Sequence, residues 1–213
     1  MANQNKYQII FVRHAKAKHN IYNGEDIFAG QKIDTDLTEE GKQEARELAH
    51  KILDNFRPDL IFYSRLTRSR QTAKMIADEI LKITAAKPSV RKIDDLEETD
   101  VGDFTGIGKT DALERDKKAA EAFYKNDIKN FNFPNGENYA SLRHRVKLLV
   151  SNLNNSVKPG QKAVAVGHGM FNRVVFHELL KDKIKLWNNI DHPHDLLVKL
   201  EGPLEYKGEN EGR

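Results

Sequence analysis

Arg13 and His14 stand side by side directly after the apolar run IIFV (9–12). The stretch RHAKAKHN (13–20) that they open carries three cations and two histidines in eight residues. Such crowding costs energy unless the side chains fan out into water or a negative group is bound among them. Two further clusters share this character: Ser64, Arg65 and Arg68 follow the apolar run LIFY (60–63), and His168 lies between Gly167 and Gly169 after AVAV (163–166). In open α/β sheets, ligands gather beyond the carboxyl ends of the strands. If the three runs are neighbouring strands, two histidines and at least two arginines surround one small volume, which suits a compact dianion such as phosphate. A neutral imidazole in such a place, with His14 the candidate, can attack phosphorus and hold the phosphoryl group as phosphohistidine. Fixed cations around it would offset the charge spread over the transferred group.

The elements that must position these residues show in the periodicity. Runs 9–12, 60–63 and 163–166 are continuously apolar, as strands buried on both faces are, and LLVKL (196–200) is a fourth candidate. Between them lie helical patterns. After Thr38, a plausible N-cap, Ala45, Leu48, Ala49, Ile52, Leu53 and Phe56 recur at helical spacing, and Pro58 closes the segment. Thr72, Met75, Ile76 and Ile80 mark a second helix; Leu142, Val146, Leu149, Val150 and Leu153 mark a third, ending before KPG. Strand alternating with helix predicts an α/β three-layer sandwich with a central, mostly parallel sheet. Residues 107–135 break the rhythm. They are highly charged with a thin stripe of Leu113, Ala120 and Phe123, and are expected to form a helical cap over the site. From about residue 204 the chain reads as a solvated tail.

The 213 residues suit a single domain. The 35 basic residues against 32 acidic ones give a net charge of +3, a near balance that argues against a polyanion binder. The basic residues near Arg65 and Arg70 lack interleaved aromatic side chains, which disfavours nucleic acid. No cysteine is present, so disulfides, thiolate metal sites and thiol nucleophiles are excluded. The apolar run before Arg13 is too short for a signal-peptide core and no stretch approaches a membrane span, so a cytoplasmic protein is expected.

Taken together and in order, these residues resemble the histidine phosphatase superfamily, which includes the cofactor-dependent phosphoglycerate mutases. RHAKAKHN stands at the family's Arg-His-Gly signature, with Asn20 six residues past the histidine. DLTEEGKQEA matches a Leu-Thr-x-x-Gly helix start, SRLTRSRQTA the segment carrying a second pocket arginine, LEETDVGDFTG the segment carrying an acid, and FPNGEN and VAVGHGMFNRVV the later blocks. The resemblance implies a phosphoryl-transfer site with His14 as nucleophile and Glu98 as proton donor and then general base. Arg13, Asn20, Arg68 and His168 would bind the phosphate. Glu97 is a near rival to Glu98, and an alternating strand would turn only one of them inward. Ala15 departs from the family's glycine, and its methyl group would be strained if the backbone there had positive φ or had to touch the phosphate.

The expectation is metal-independent hydrolysis of a small phosphate monoester, with no cofactor. A cofactor-dependent mutase and a non-enzymatic phosphate-binding or scaffold protein are the alternatives. Arg65 and Arg70 read as solvated cations. Lys16, Lys18 and His19 read as the pocket rim, and His144 and His177 as structural or exposed helix positions. His192 and His194 could suggest a metal, but the chain has no cysteine to join them and a phosphohistidine mechanism needs no metal, so none is expected.

Overall fold

The apolar runs become strands because both of their faces are covered. The computed structural model describes residues 6–21, 27–180 and 196–206. Strands β1 (Tyr7–Arg13), β2 (Leu60–Tyr63), β3 (Ser89–Lys92), β4 (Lys162–Gly167) and β5 (Val198–Gly202) form one sheet in the order β3-β2-β4-β1-β5. All pairings are parallel except that of β5 with β1. Side chains alternate between the two faces. Ile9, Phe11, Leu60, Phe62, Ala163 and Ala165 enter one core, while Ile10, Val12, Ile61, Val164 and Val166 enter the other. Helices α1 (Glu39–Leu53) and α2 (Thr67–Thr84) cover the second face. Helices α5 (Tyr139–Ser156) and α6 (Gly169–Leu180) cover the first. The result is the expected three-layer α/β sandwich with a mostly parallel sheet.

Two elements differ from the sequence reading. Strand β3 was not foreseen, because Ser-Val-Arg-Lys is polar and mostly exposed; it forms the charged edge of the sheet, where pairing with another chain is discouraged. The fourth expected strand is β5, shifted two residues toward the C-terminus, where it closes the opposite edge. The first residues of the expected tail are held to the fold. Leu204 is buried, its N–H and C=O both bond to the Asn154 side chain, and the Tyr206 hydroxyl accepts from Arg143.

Helix starts follow local chemistry. The Thr38 hydroxyl accepts from the Gly41 N–H (2.9 Å), and Glu39 and Glu40 face the positive end of α1. Asn138 and Ser141 form a reciprocal capping box at the start of α5. The cap consists of two short helices, α3 (Lys109–Arg115) and α4 (Lys117–Tyr124), divided at Asp116, whose side chain caps α4. Ala112, Ala119, Ala120 and Ala122 are the buried residues of this segment, so small side chains let it lie close to the core. No helix among the described residues is long and apolar enough to cross a membrane.

Gly41 shows how tightly α1 approaches the loop after β1. A Cβ there would lie 2.0 Å from the Lys16 carbonyl oxygen. Gly41→Ala is expected to lower the unfolding free energy by about 1–3 kcal/mol, the usual cost of overpacking against backbone. A urea titration measures it, and an unchanged midpoint would contradict the close packing.

Candidate active site

β4 lies between β1 and β2, so the carboxyl ends that carry Arg13-His14, Ser64 and Gly167-His168 are adjacent. The convergence anticipated from sequence is therefore met. The His14 N–H donates to the Gly167 carbonyl (3.0 Å), which continues the β1–β4 pairing one residue past the strand. The Ala15 N–H donates to the Thr72 hydroxyl (3.0 Å), and that hydroxyl donates to the Arg68 carbonyl (2.7 Å), fastening the loop to α2.

His14 is buried, and its Nδ1 lies 2.8 Å from the Ala15 carbonyl oxygen. A carbonyl can only accept, so this bond puts the proton on Nδ1 and the lone pair on Nε2. Ala15 is not strained. It is absent from the positive-φ residues of the described chain, and its buried methyl packs with Ala17, Leu37 and Ala45. The concern raised by the missing glycine is corrected accordingly.

Arg68 is only 1% exposed. Its two terminal nitrogens donate to the Ile33 and Gly30 carbonyls (2.9 and 2.8 Å), while its buried Nε–H has no protein partner. Burial lowers its pKa from the usual arginine value, against the opposing attraction of Glu98 and Asp34. His168 is fully buried behind His14, with ring centroids 5.1 Å apart, and does not itself line the cavity. Its Nε2 pairs with the Ser64 hydroxyl (2.7 Å), and its buried Nδ1 has no protein partner. A buried polar atom left in this way costs about 1–3 kcal/mol, a cost that an anion accepting from Arg68 Nε and His168 Nδ1 would relieve. Asn20 uses its carboxamide oxygen to accept from the Ala17 N–H (3.0 Å), so its NH₂ remains the donating end. Gly169 has a steric role, since a Cβ there would lie 3.3 Å from the Arg13 guanidinium carbon.

The two adjacent acids separate. They sit on an extended loop after a short 3₁₀ turn rather than on the expected strand. Both are buried, but Glu97 turns to an ion pair with Arg65, whereas Glu98 lines the cavity. Glu98 Oε1 accepts from the Thr99 and Phe171 N–H groups (2.9 and 3.0 Å), and Oε2 accepts only a longer bond from Met170 (3.3 Å). Two of these donors belong to the first turn of α6, whose N–H groups have no partner within the helix.

The cavity is about 280 Å³. Arg13, His14, Asn20, Arg68 and Glu98 line it, together with Phe28, Phe123, Tyr124, Asn126 and Arg173. Phe123, Tyr124 and Asn126 come from the expected cap. His19 lines the cavity as expected of a residue placed at the pocket, but it is buried rather than solvated, with its ring 5.8 Å from that of His14 and Nδ1 2.8 Å from the Thr35 hydroxyl. Lys16 and Lys18 do pair at the surface, with Glu40 and Asp36. Arg70 and His144 are exposed, and His177 packs against Tyr139. Sequence reasoning passed over Ser64, Ser69 and Thr72, whose hydroxyls tie the Arg68 segment to β4, His168 and the His14 loop. It also passed over Arg173, whose only sequence signal was its place five residues past His168, on the helix that follows it. His192 and His194 lie outside the described residues.

Comparison with known proteins gives matches over most of the chain. The sequence profile of the histidine phosphatase superfamily (branch 1) matches residues 9–204. A 2,3-bisphosphoglycerate-dependent phosphoglycerate mutase of Bradyrhizobium sp. (strain BTAi1) is 38% identical over 105 residues, which span 49% of this chain and only 47% of that protein. A metal-independent phosphoserine phosphatase of Arabidopsis thaliana is 29% identical over 79% of this chain and 67% of its own length. The native structure of a mycobacterial glucosyl-3-phosphoglycerate phosphatase superposes with a TM-score of 0.72 at 24% identity, covering 92% of this chain and 91% of that one, and so shares the fold.

Burial holds the His168 imidazole well below its ordinary value of 6.5, and Arg68, Arg13 and Arg145 press in the same direction. The unfolded chain takes up a proton here as the pH falls through about 6.5, while the folded protein does not. Unfolding therefore binds a proton in that range, and this residue makes stability decline on acidification by up to about 1.4 kcal/mol per pH unit. His168→Gln should flatten the fall in unfolding free energy from about pH 6.5 to 5 in urea titrations. Equal slopes in the two proteins would contradict the neutral imidazole.

Proposed function

This chain belongs to the histidine phosphatase superfamily, and we propose that it hydrolyses a small phosphate monoester in two displacements through His14, without a metal ion. The observation that carries this reading is the Nδ1 bond of His14 to the Ala15 carbonyl, which leaves the nucleophilic lone pair on Nε2 of a histidine that shares its cavity with Arg68 and stands 5.1 Å, ring to ring, from His168. In the first displacement, Nε2 bonds to phosphorus as the bond to the ester oxygen breaks, and Glu98 supplies a proton to the departing alcohol. In the second, water attacks the phosphorus and its proton passes to Glu98. The N–P bond then breaks, releasing phosphate and restoring the imidazole. Oε2 is the oxygen for this proton traffic, since Oε1 already accepts two shorter bonds. Arg13, Asn20 and Arg68 hold the non-bridging oxygens from the cavity wall, and His168, buried next to His14, is the expected fourth donor through the Nδ1 that has no protein partner. Each such donor is worth on the order of 10²–10³ in rate.

The modest cavity favours a small-molecule ester. Arg173 in its wall favours an alcohol that bears a second anionic group, and phosphoserine, named for the Arabidopsis relative, is an ester of that kind. A phosphoglycerate mutase is the second reading, supported by the Bradyrhizobium match; it would pass the phosphoryl group to another hydroxyl and depend on a bisphosphate primer. Cap helices of 7 and 8 residues offer little to retain an intermediate while it turns round, which favours hydrolysis. The non-catalytic alternative rested on Ala15, and its packing away from the cavity removes that motive.

Phosphate release from a panel of monoesters, with and without a carboxylate on the alcohol, tests the proposal. Turnover is expected to persist in EDTA and to fall by about 10³-fold or more in His14→Ala. Loss of activity in EDTA, or transfer to phosphoglycerate with no phosphate released, would overturn it.

A further inference from the structure

Arg145 lies in neither the cavity wall nor the phosphate cluster, yet its guanidinium touches both sides of the seat that holds Glu98. On α5, it faces the Glu137 carboxylate as a two-pronged pair, Nε to Oε1 at 3.1 Å and Nη2 to Oε2 at 2.8 Å. Its Nη1 donates to the Glu97 carbonyl at 2.5 Å, and Nη2 approaches the Glu98 carbonyl at 3.3 Å. The same group lies over the Phe171 ring, 3.8 Å from its centroid, and Phe171 supplies an N–H to Glu98 Oε1. Glu137 completes the frame by accepting from the Asp100 N–H (2.8 Å), two residues past Glu98. Both members of the pair are largely buried, with side-chain exposures of 14% and 18%. Only the planar, multiply donating guanidinium can serve the carboxylate, the two carbonyls and the ring face together, and a lysine ammonium cannot.

We infer that Arg145, locked by Glu137, is a positioning residue for the proton-transfer group. It fixes the 97–98 backbone against the first turn of α6, so that Oε2 of Glu98 meets the departing ester oxygen. The inference rests on the proposed role of Glu98. Misplacing a reacting group by about 1 Å can cost 10²-fold in rate, and the cost should appear only where a proton must be delivered. Alkyl alcohols leave slowly without a proton; p-nitrophenolate leaves readily as the anion.

The experiment compares kcat/KM for p-nitrophenyl phosphate and for an alkyl phosphate in the wild-type protein, Glu98→Gln, Arg145→Met, Arg145→Lys and Glu137→Gln. Glu98→Gln should lower the alkyl value by about 10²–10⁴-fold and the nitrophenyl value far less. Arg145→Met should reproduce the pattern at about 10²-fold on the alkyl ester. Lysine should not rescue it, and Glu137→Gln should show the same selectivity in weaker form. Should Arg145→Met fold poorly, the Glu137→Gln pattern decides. If Glu98→Gln discriminates between the esters while the Arg145 and Glu137 variants slow both equally or neither, the positioning role is wrong and the acid assignment stands. If Glu98→Gln does not discriminate, the acid assignment fails and this inference fails with it.

Discussion

The guanidinium groups of Arg13 and Arg68 repel one another at one end of the sheet, and Arg68 is almost wholly removed from water. Two imidazoles stand beside them, and Glu98 is the acid that lines their cavity. Much of the surrounding structure can be read as the means of holding these groups in place. Backbone carbonyls at Gly30 and Ile33 take the ends of Arg68, and an Asp34 carboxylate oxygen stands 3.7 Å from one of those ends. The neighbouring cations and burial keep His168 neutral, so it adds a hydrogen-bonding atom without another full charge.

The sheet order provides the geometry. With β4 between β1 and β2, three successive loops at one edge meet without any long excursion, and the His14 N–H to Gly167 carbonyl bond fixes their register. The hydroxyls of Ser64, Ser69 and Thr72 then link the loops to one another. These short side chains make the site a continuation of the rigid sheet and α2, rather than a set of independent loops. The acid arrives from elsewhere, on an irregular segment that gains order from the N–H groups of α6 and from Arg145 on α5.

How much of this was legible in the sequence follows from where the free energy lies. Strands β1, β2 and β4 announce themselves because burial on both faces demands unbroken apolar runs. Strand β3 cannot, since an exposed edge is built from polar residues that a loop would also use. His14, Arg13, Arg68 and His168 were readable as unusual polar residues at strand ends. The resemblance favoured Glu98, but the residues alone could not separate it from Glu97, since the two buried acids differ in their tertiary contacts, Arg65 pairing with one and α6 holding the other. His19 was placed at the pocket but as a rim residue, because a histidine between Lys18 and Asn20 looks solvated, whereas it is buried on the short 3₁₀ turn and lines the cavity. Arg145 gave no signal at all. A charged residue on an amphipathic helix is normally solvated, and its significance depends on Glu137, Phe171 and a loop almost fifty residues away in sequence.

The account stands on a covalent bond between phosphorus and His14 Nε2. The direct measurement is to mix enzyme with a ³²P-labelled monoester that it turns over, stop the reaction in alkali within a single turnover, and map the protein-bound label. Phosphohistidine survives alkali and is lost in acid. The account predicts acid-labile label on the peptide containing His14, formed at least as fast as phosphate is released and absent from His14→Ala. Phosphate release with no protein-bound label at any time, or label on another residue, would contradict it.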